Sequence, residues 1–175
     1  MLRKIILEYE KHLKGKKFKI TLETGEIIEF QIAKKRLKHL LGFQYTSYST
    51  FPAELIYSKI KNRKLTLEKL QKDKKFKIVE TRIINFTRII DLLSLNETDF
   101  IIEFNKTLIQ NCELKSKYII YKDNSNHILH LGLAEDNTYY PETWFIRDER
   151  TNNIDLYIKN QKKIKVIKFE IITIN

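Results

Sequence analysis

The hydrophobic pattern changes period along the chain and divides it into predicted helices and strands. Apolar residues recur at helical spacing between Leu2 and Leu13, which predicts an opening amphipathic helix. Strict alternation follows in Phe18–Leu22 and again in Ile28–Ile32, separated by a Thr24-Gly25 turn. Two alternating segments joined in this way predict a β-hairpin.

The middle of the chain is predicted to be mostly helical. A short helix over Lys34–Leu41 is expected to end at Gly42, because glycine favours helix C-termini. The aromatic, hydroxyl-rich segment Phe43–Phe51 lacks a period and is predicted to be a loop. Three further helices are predicted, at Pro52–Lys61, after a Thr66 N-cap, and, most clearly, at Val79–Leu93.

From Asp99 onward the period becomes two, which indicates strands. They are predicted at Phe100–Phe104, Tyr118–Tyr121, Ile128–Leu133, Trp144–Ile146 and Lys163–Ile174. The fold class is therefore α+β, with N-terminal helices and a β-hairpin packed on a mostly antiparallel C-terminal sheet. The hairpin either joins this sheet or stands apart. We expect one domain over residues 1–175, in which residues 51–96 can form a helical subdomain.

The net charge of the chain indicates a class of function. Thirty-three Lys and Arg residues against twenty-two Asp and Glu residues give a net charge of +11. Such an excess attracts phosphate backbones, although a lysine-rich genome bias would also produce it. Basic residues cluster along the sequence, which favours one basic face and a nucleic acid partner, RNA in particular. The basic runs are Lys14–Lys19, Lys34–Lys38, Lys59–Lys64, Lys72–Lys77 and Lys159–Lys168.

The composition argues against several other classes of protein. The single Cys112 cannot form an internal disulfide, and no His or Cys cluster has the spacing of metal ligands. We therefore expect no metal and no cofactor. The charged start of the chain does not resemble a signal peptide, and no apolar run approaches the roughly 20 residues that cross a bilayer. We expect a cytoplasmic protein without membrane contact.

His39 is the first candidate for chemistry. It closes a basic segment that contains Lys35, Arg36 and Lys38, and it precedes the aromatic loop. An imidazole at this place can transfer protons near neutral pH while the cations hold a phosphate. The alternative is a histidine whose charge is merely favoured by a helix C-terminus.

Further candidates would bind the nucleic acid. Tyr45 and Tyr48 lie in the predicted loop, where aromatic rings can stack on bases. The run that contains Lys59, Lys61 and Arg63 would supply positive charge.

The C-terminal half adds a second set of polar candidates. Thr143 precedes Trp144 at the start of a predicted strand, where its hydroxyl can bind a phosphate oxygen. Tyr157, Lys159 and Gln161 alternate, so in an extended segment they share one face. In both cases an ordinary strand residue or a solvated face is the alternative interpretation.

The residue types available indicate one kind of reaction. No paired carboxylates, glycine-rich phosphate loop or nucleophile elbow is present, whereas His, Lys, Arg, Tyr and Thr suffice for metal-independent RNA cleavage. That reaction needs a base for the 2′-OH, a cation for the phosphate and an acid for the leaving oxygen. His130, inside an apolar strand, is interpreted as a hydrogen-bonded core residue.

A family resemblance covers roughly Lys17 to Ile172. The segment Phe30-x8-His39-Leu40-Leu41-Gly42-Phe43 resembles the opening motif of phage-associated domains in the barnase–EndoU–colicin–RelE group of nuclease-like folds. Further similar segments follow in the same order, at Ile56–Ile60, Phe86–Leu93, Lys117–Tyr121, Pro141–Phe145 and Tyr157–Gln161.

This resemblance implies a helical part packed on a compact antiparallel sheet, RNase activity and association with phages or mobile elements. It implies His39 as the acid/base, Thr143 as the phosphate-binding hydroxyl, and Tyr157 with Gln161 as a supporting polar pair. Lys59 or Lys61 would supply positive charge. The chain departs from the family pattern at Leu41, where Thr is frequent, and at Thr143, where Ser is frequent.

Three functions remain open at this point. The leading hypothesis is a metal-independent ribonuclease of a phage or mobile element that acts as a toxin or host-interference factor. The second is a non-catalytic inhibitor, of the anti-CRISPR type, that binds nucleic acid or a host nucleic-acid-processing complex. The third is a structural role in a virion. A protein partner, such as an antitoxin, is compatible with the first.

Overall fold

The computed structural model describes residues 1–124, 127–148 and 155–174. Within these residues the helices are α1 (Leu2–His12), α2 (Lys34–Leu40), α3 (Ala53–Lys61), α4 (Leu67–Gln71), α5 (Phe76–Ile84) and α6 (Ile89–Leu92). The strands are β1 (Lys16–Leu22), β2 (Ile27–Gln31), β3 (Phe100–Glu103), β4 (Ser116–Asn124), β5 (His127–Glu135), β6 (Tyr139–Asp148) and β7 (Lys162–Thr173).

All described strands belong to one seven-stranded sheet of order β2-β1-β7-β3-β4-β5-β6. Every neighbouring pair is antiparallel. The hairpin joins the sheet because β7 returns and pairs with β1, with Phe18 opposite Ile171. The predicted α+β class with an antiparallel sheet is confirmed.

The sheet is curled, and this curl creates one main core. Its two edge strands, β2 and β6, come into contact although they lie at opposite ends of the strand order. The helices fill the concave face, where Trp144 from β6 packs edge-on against Phe86, with ring centroids 6.1 Å apart. A smaller cluster on the convex face contains Ile102, Phe104 and Ile119.

The single long helix predicted over Val79–Leu93 is wrong. Helix α5 ends at Ile84, a 3₁₀ turn spans Phe86–Arg88, and α6 begins at Ile89. Asn85 closes α5, since its side-chain amide donates to the Thr81 carbonyl at 3.0 Å. The break turns Phe86 into the core against Trp144, so tertiary packing overrides a continuous helical period.

A polar network links the β1–β2 turn to the far half of the sheet. The Glu26 carboxylate accepts hydrogen bonds from the Tyr118 hydroxyl at 2.5 Å, from the Tyr139 hydroxyl, and from the Lys117 ammonium at 2.9 Å. Lys117 also binds Glu135 at 2.9 Å. These contacts join elements that are about 90 or more residues apart in sequence, so they hold the curl closed.

The same network shifts the pKa of its members. Desolvation raises the pKa of Glu26, but the hydrogen bonds from Tyr118, Tyr139 and Lys117 outweigh it and lower this pKa to about 2. Burial and the contact with Glu26 raise the pKa of Tyr139 to about 12. The ionised carboxylate is therefore the form that the fold stabilises.

Glu26 is expected to make the fold acid-sensitive. Because its folded pKa lies below the ordinary 4.5, its stabilising contribution is complete above pH 4.5 and is lost as the pH falls from 4.5 towards 2. We predict that Glu26→Gln lowers the melting temperature at pH 7 and flattens the loss of stability in this acid range. Thermal unfolding followed by circular dichroism from pH 7 to pH 2 measures both effects.

The exposed pair of Glu103 with Lys162 provides the matched control, because its carboxylate lies outside the network. Glu103→Gln should retain the wild-type acid dependence. A Glu26→Gln protein with the same acid dependence as the wild type would contradict the assigned role of Glu26.

Gly42 lets the turn that follows α2 approach α5 closely. It adopts the left-handed conformation with φ of 81°, and its amide donates to the His39 carbonyl at 2.9 Å, which ends α2. A Cβ atom at this position would lie 2.6 Å from the Cγ1 atom of Val79 in α5. Only glycine therefore satisfies both the turn and the packing.

A pair of glycine substitutions separates these two requirements. Gly25 has φ of 85° but no neighbour within 4 Å of an added Cβ, so Gly25→Ala should cost about 1–2 kcal/mol of conformational strain alone. Gly42→Ala should cost about 1–3 kcal/mol more, because it also overpacks Val79. Urea unfolding of both variants measures the difference, and equal losses would argue against the steric constraint.

Candidate functional site

The last turn of α2 presents a histidine to the edge strand β6. Leu37 and Leu40 are buried and attach the helix to the core. Arg36 and His39 are also three residues apart. They therefore share a helix face, which lies next to the face of Leu37 and Leu40. This face packs against β6, so both side chains meet the strand that carries Thr143.

Arg82 reaches the same place from α5. Its Nη2 atom donates to the Thr143 hydroxyl oxygen at 3.4 Å, and its Cζ atom lies 5.8 Å from the ring centroid of Tyr45. Burial lowers the pKa of the Arg82 guanidinium. The side chain thus holds a positive charge in a partly desolvated position between α5, β6 and the turn that follows α2.

The surroundings of His39 favour its neutral form. Burial lowers the pKa of His39, and the positive charges of Arg36 and Arg82 lower it further. The carboxylate of Glu142 and a hydrogen bond with the Glu142 backbone act in the opposite direction. A neutral imidazole keeps one ring nitrogen without a proton, and this nitrogen can act as a base.

Glu142 of β6 is held by residues at the start of β4, which lies on the far side of β5. Its carboxylate accepts a hydrogen bond from the Ser116 hydroxyl at 2.6 Å and from the Lys115 amide at 2.9 Å. The intervening strand β5 carries Gly132, where an added Cβ would collide with Ser116 and lie 3.2 Å from the Thr143 Cγ2 atom. Glycine here lets the three strands bring these polar side chains together.

The charge balance around the two arginines sets what the site can bind. In the part of the chain that the structure describes, neither Arg36 nor Arg82 forms an ion pair with a carboxylate. Arg36 instead lies over Tyr140, with its Cζ atom 3.6 Å from the ring centroid. Two guanidinium groups beside a neutral imidazole form a site suited to a phosphate. We call His39, Arg36, Arg82, Tyr45 and Thr143 the histidine–arginine site.

Three other residues of the predicted nucleic-acid interface lie on α2 and in the loop that follows it. The Lys38 ammonium donates to the carbonyls of Ser49 and Phe51 at 2.7 and 2.6 Å and so fastens the loop to α2. Tyr48 is half-buried against Phe51, with ring centroids 5.6 Å apart. Lys35 is exposed on α2.

The predicted cations of α3 make contacts elsewhere. Lys61 forms an ion pair with Glu10 of α1 at 2.7 Å. The Lys59 ammonium lies 5.6 Å from the ring centroid of Phe51. Arg63 follows α3 in a left-handed conformation, with φ of 58°.

Tyr157 and Gln161 lie with the convex-face cluster, away from the helix-covered face. Tyr157 stacks on Phe104, with centroids 6.0 Å apart, and Gln161 exchanges hydrogen bonds with the backbone of Asn105 at 2.8 and 3.1 Å. No contact among the described residues joins either side chain to His39. Lys159 is exposed in the same turn.

The condition under which these three residues would share a face, an extended backbone, is not met. Residues 156–160 form a turn, in which the Lys159 amide donates to the Asp155 carbonyl at 2.8 Å. Asn160 adopts the left-handed conformation, with φ of 62°. Tyr157, Lys159 and Gln161 therefore do not share a strand face.

His130 is buried, as its interpretation from the sequence expects, and it lies beside Tyr157 on the convex side of the sheet. Its side chain is fully buried and stacks on Phe145, with centroids 4.5 Å apart. Its Nε2 atom lies 2.8 Å from the Asp155 Oδ2 atom. Burial raises the pKa of Asp155, but the contact with His130 outweighs it and lowers this pKa.

Sequence reasoning missed Arg82, Tyr140 and Glu142. Arg82 carried a usable signal, because it lies three residues after Val79 and so borders the apolar stripe of α5. Tyr140 and Glu142 carried a weaker signal, which is that they lie close to Thr143 in the sequence. The shift in β5–β6 register between Gly132 and Leu133, which sets their arrangement, has no recognisable sequence signal.

The described ranges hold neither a cluster suited to a metal ion nor a helix suited to a membrane. Residues 1–124, 127–148 and 155–174 contain no group of three or more His, Cys, Asp or Glu side chains placed to hold a metal ion. None of the helices in these ranges combines the length and the apolar character that crossing a membrane requires.

Comparisons with known proteins give one match. Searches of curated proteins and of solved structures found nothing similar to the chain. A family model described as phage-Barnase-EndoU-ColicinE5/D-RelE like nuclease4 matches residues 1–175, the whole chain. The antiparallel sheet and the helices on its concave face agree with this type of fold. The chain therefore belongs to the phage-Barnase-EndoU-ColicinE5/D-RelE like nuclease4 family and is a phage-type nuclease domain.

Proposed function

We propose that the protein cleaves RNA without a metal ion, at the histidine–arginine site. The observation that supports this most directly is His39, a largely neutral imidazole with two nearby guanidinium groups that have no carboxylate partner among the described residues. A base for the 2′-OH and positive charge at the phosphate are two of the three groups that phosphodiester cleavage by an internal nucleophile requires.

Each step of the proposed reaction has a residue. The free nitrogen of His39 takes the proton of the ribose 2′-OH, and the 2′-oxygen attacks the adjacent phosphorus. Arg82 and Arg36 stabilise the added negative charge, and Thr143 orients Arg82 through its hydroxyl. The bond from phosphorus to the 5′-oxygen breaks, and the hydroxyl of Tyr45, an exposed residue, protonates that oxygen. The products are a 2′,3′-cyclic phosphate and a 5′-OH end.

RNA is the proposed substrate because the reaction uses the 2′-OH as its nucleophile. DNA lacks this group, so the same site would bind DNA without cutting it. We further propose that RNA cleavage makes the protein a toxin or host-interference factor of a phage or mobile element. Membership in a phage-type nuclease family supports this role.

Cleavage of labelled RNA in EDTA tests the proposal. We expect the wild-type protein to produce 2′,3′-cyclic phosphate ends, and a substrate with a single 2′-deoxy position to resist cleavage there. His39→Gln should reduce the rate about 10²–10⁴-fold, since it removes the general base. Tyr45→Phe should give a similar but smaller reduction.

His12→Gln is the matched control, because His12 lies on α1 and contacts Glu8 at 3.4 Å. This variant should cleave at the wild-type rate. Tight, salt-dependent binding with intact RNA in every sample would reject cleavage and favour a non-catalytic blocking protein.

The pKa of His39 predicts the pH dependence of cleavage. A general base must be neutral, so the rate should fall as the pH drops through the His39 pKa, which burial and the two arginines place below the ordinary 6.5. Arg36→Gln removes one positive charge, so it should raise this pKa and move the acid limb to higher pH. Rates measured from pH 4 to pH 9 show the shift.

Lys159→Gln removes the same charge from the turn on the convex side and should leave the acid limb in place. An acid limb that does not move in Arg36→Gln would reject the assignment of His39 as the base.

A further inference from the structure

A cleft opens directly beside the histidine–arginine site. It has a volume of about 430 Å³ and lies between the end of β2, the start of α2 and the β5–β6 turn. Arg36 lines this cleft and also flanks His39, which it precedes on α2 by about one helical turn. A group that enters the cleft is therefore adjacent to the phosphate position.

The cleft results from the way the sheet curls. Strands β2 and β6 approach each other as the two edges, but they are not hydrogen-bonded neighbours. Their side chains therefore border an opening that extends from the histidine–arginine site. We call this opening the edge cleft.

The lining of the edge cleft has the chemistry that recognises a nucleobase. Tyr140 supplies an aromatic ring with the Arg36 guanidinium lying over it, 3.6 Å from the ring centroid. Flat rings and guanidinium planes stack on unpaired bases. Gln31, Asn137 and Thr138 add amide and hydroxyl groups that both donate and accept hydrogen bonds, as reading a base edge requires.

We infer that the edge cleft binds the base of the nucleotide next to the scissile phosphate and so sets the base preference of cleavage. This inference rests on the proposed RNA cleavage and adds a specificity subsite to it. The base stacks on the face of Tyr140 that Arg36 does not cover, while Asn137 and Gln31 select among bases.

Binding of ribonucleoside 3′-monophosphates, compared with inorganic phosphate, tests the subsite without any cleavage. Calorimetry on the wild-type protein should show at least one nucleotide bound more tightly than phosphate. Tyr140→Leu should lower the affinity for that nucleotide about tenfold and leave the affinity for phosphate nearly unchanged. Asn137→Ala, at an exposed turn position, should reduce the difference among the four bases.

Tyr121→Leu is the matched control, because Tyr121 belongs to the convex-face cluster. It should bind every nucleotide as the wild type does. Equal affinity of the wild-type protein for phosphate and for all four nucleotides would overturn the subsite, and so would nucleotide binding unchanged in Tyr140→Leu.

Cleavage of the four dinucleotide classes then separates the two proposals. RNA cleavage with no base preference would reject the edge cleft while leaving the catalytic proposal intact. Nucleotide binding that depends on Tyr140, in a protein that does not cleave RNA, would support the cleft and reject catalysis.

Discussion

The close contact between Gly42, at the end of α2, and Val79 of α5 is the constraint on which the rest of the site depends. Gly42 ends α2 in a conformation that side chains disfavour, at a distance from Val79 that leaves no room for a Cβ atom. This brings the last turn of α2 next to the first residues of β6. His39 is thereby placed where burial and two guanidinium groups keep it neutral.

Sheet curvature supplies the second half of this arrangement. The strand β7, last in the chain, inserts between β1 and β3 and so carries the N-terminal hairpin into the sheet. The Glu26 network then ties the hairpin turn to β4 and β6. As a result β2, α2 and β6 surround one opening. Base recognition and phosphate chemistry are proposed for neighbouring parts of that opening.

The positively charged side chains of the protein have different roles. Lys38 and Lys61 bind carbonyl groups or a carboxylate of the protein itself, so they stabilise the fold. Arg36 and Arg82 lack a carboxylate partner among the described residues and are partly withdrawn from solvent. Electrostatic interactions are stronger in such positions. Net charge therefore indicates a class of partner, whereas burial and pairing indicate which cations would serve the chemistry.

Sequence alone determined the strand and helix types, the turn at Gly42, the burial of His130 and the candidacy of His39, because these depend on local periodicity and residue chemistry. It did not determine the break after Ile84 or the turn at Tyr157, since the contact of Phe86 with Trp144 and the backbone bonds of Asp155 are made only in the folded chain.

Arg82 and Tyr140 joined His39 only in three dimensions. Residues from α2, α5 and β6 are distant in sequence, and only helix packing and sheet register bring their side chains together.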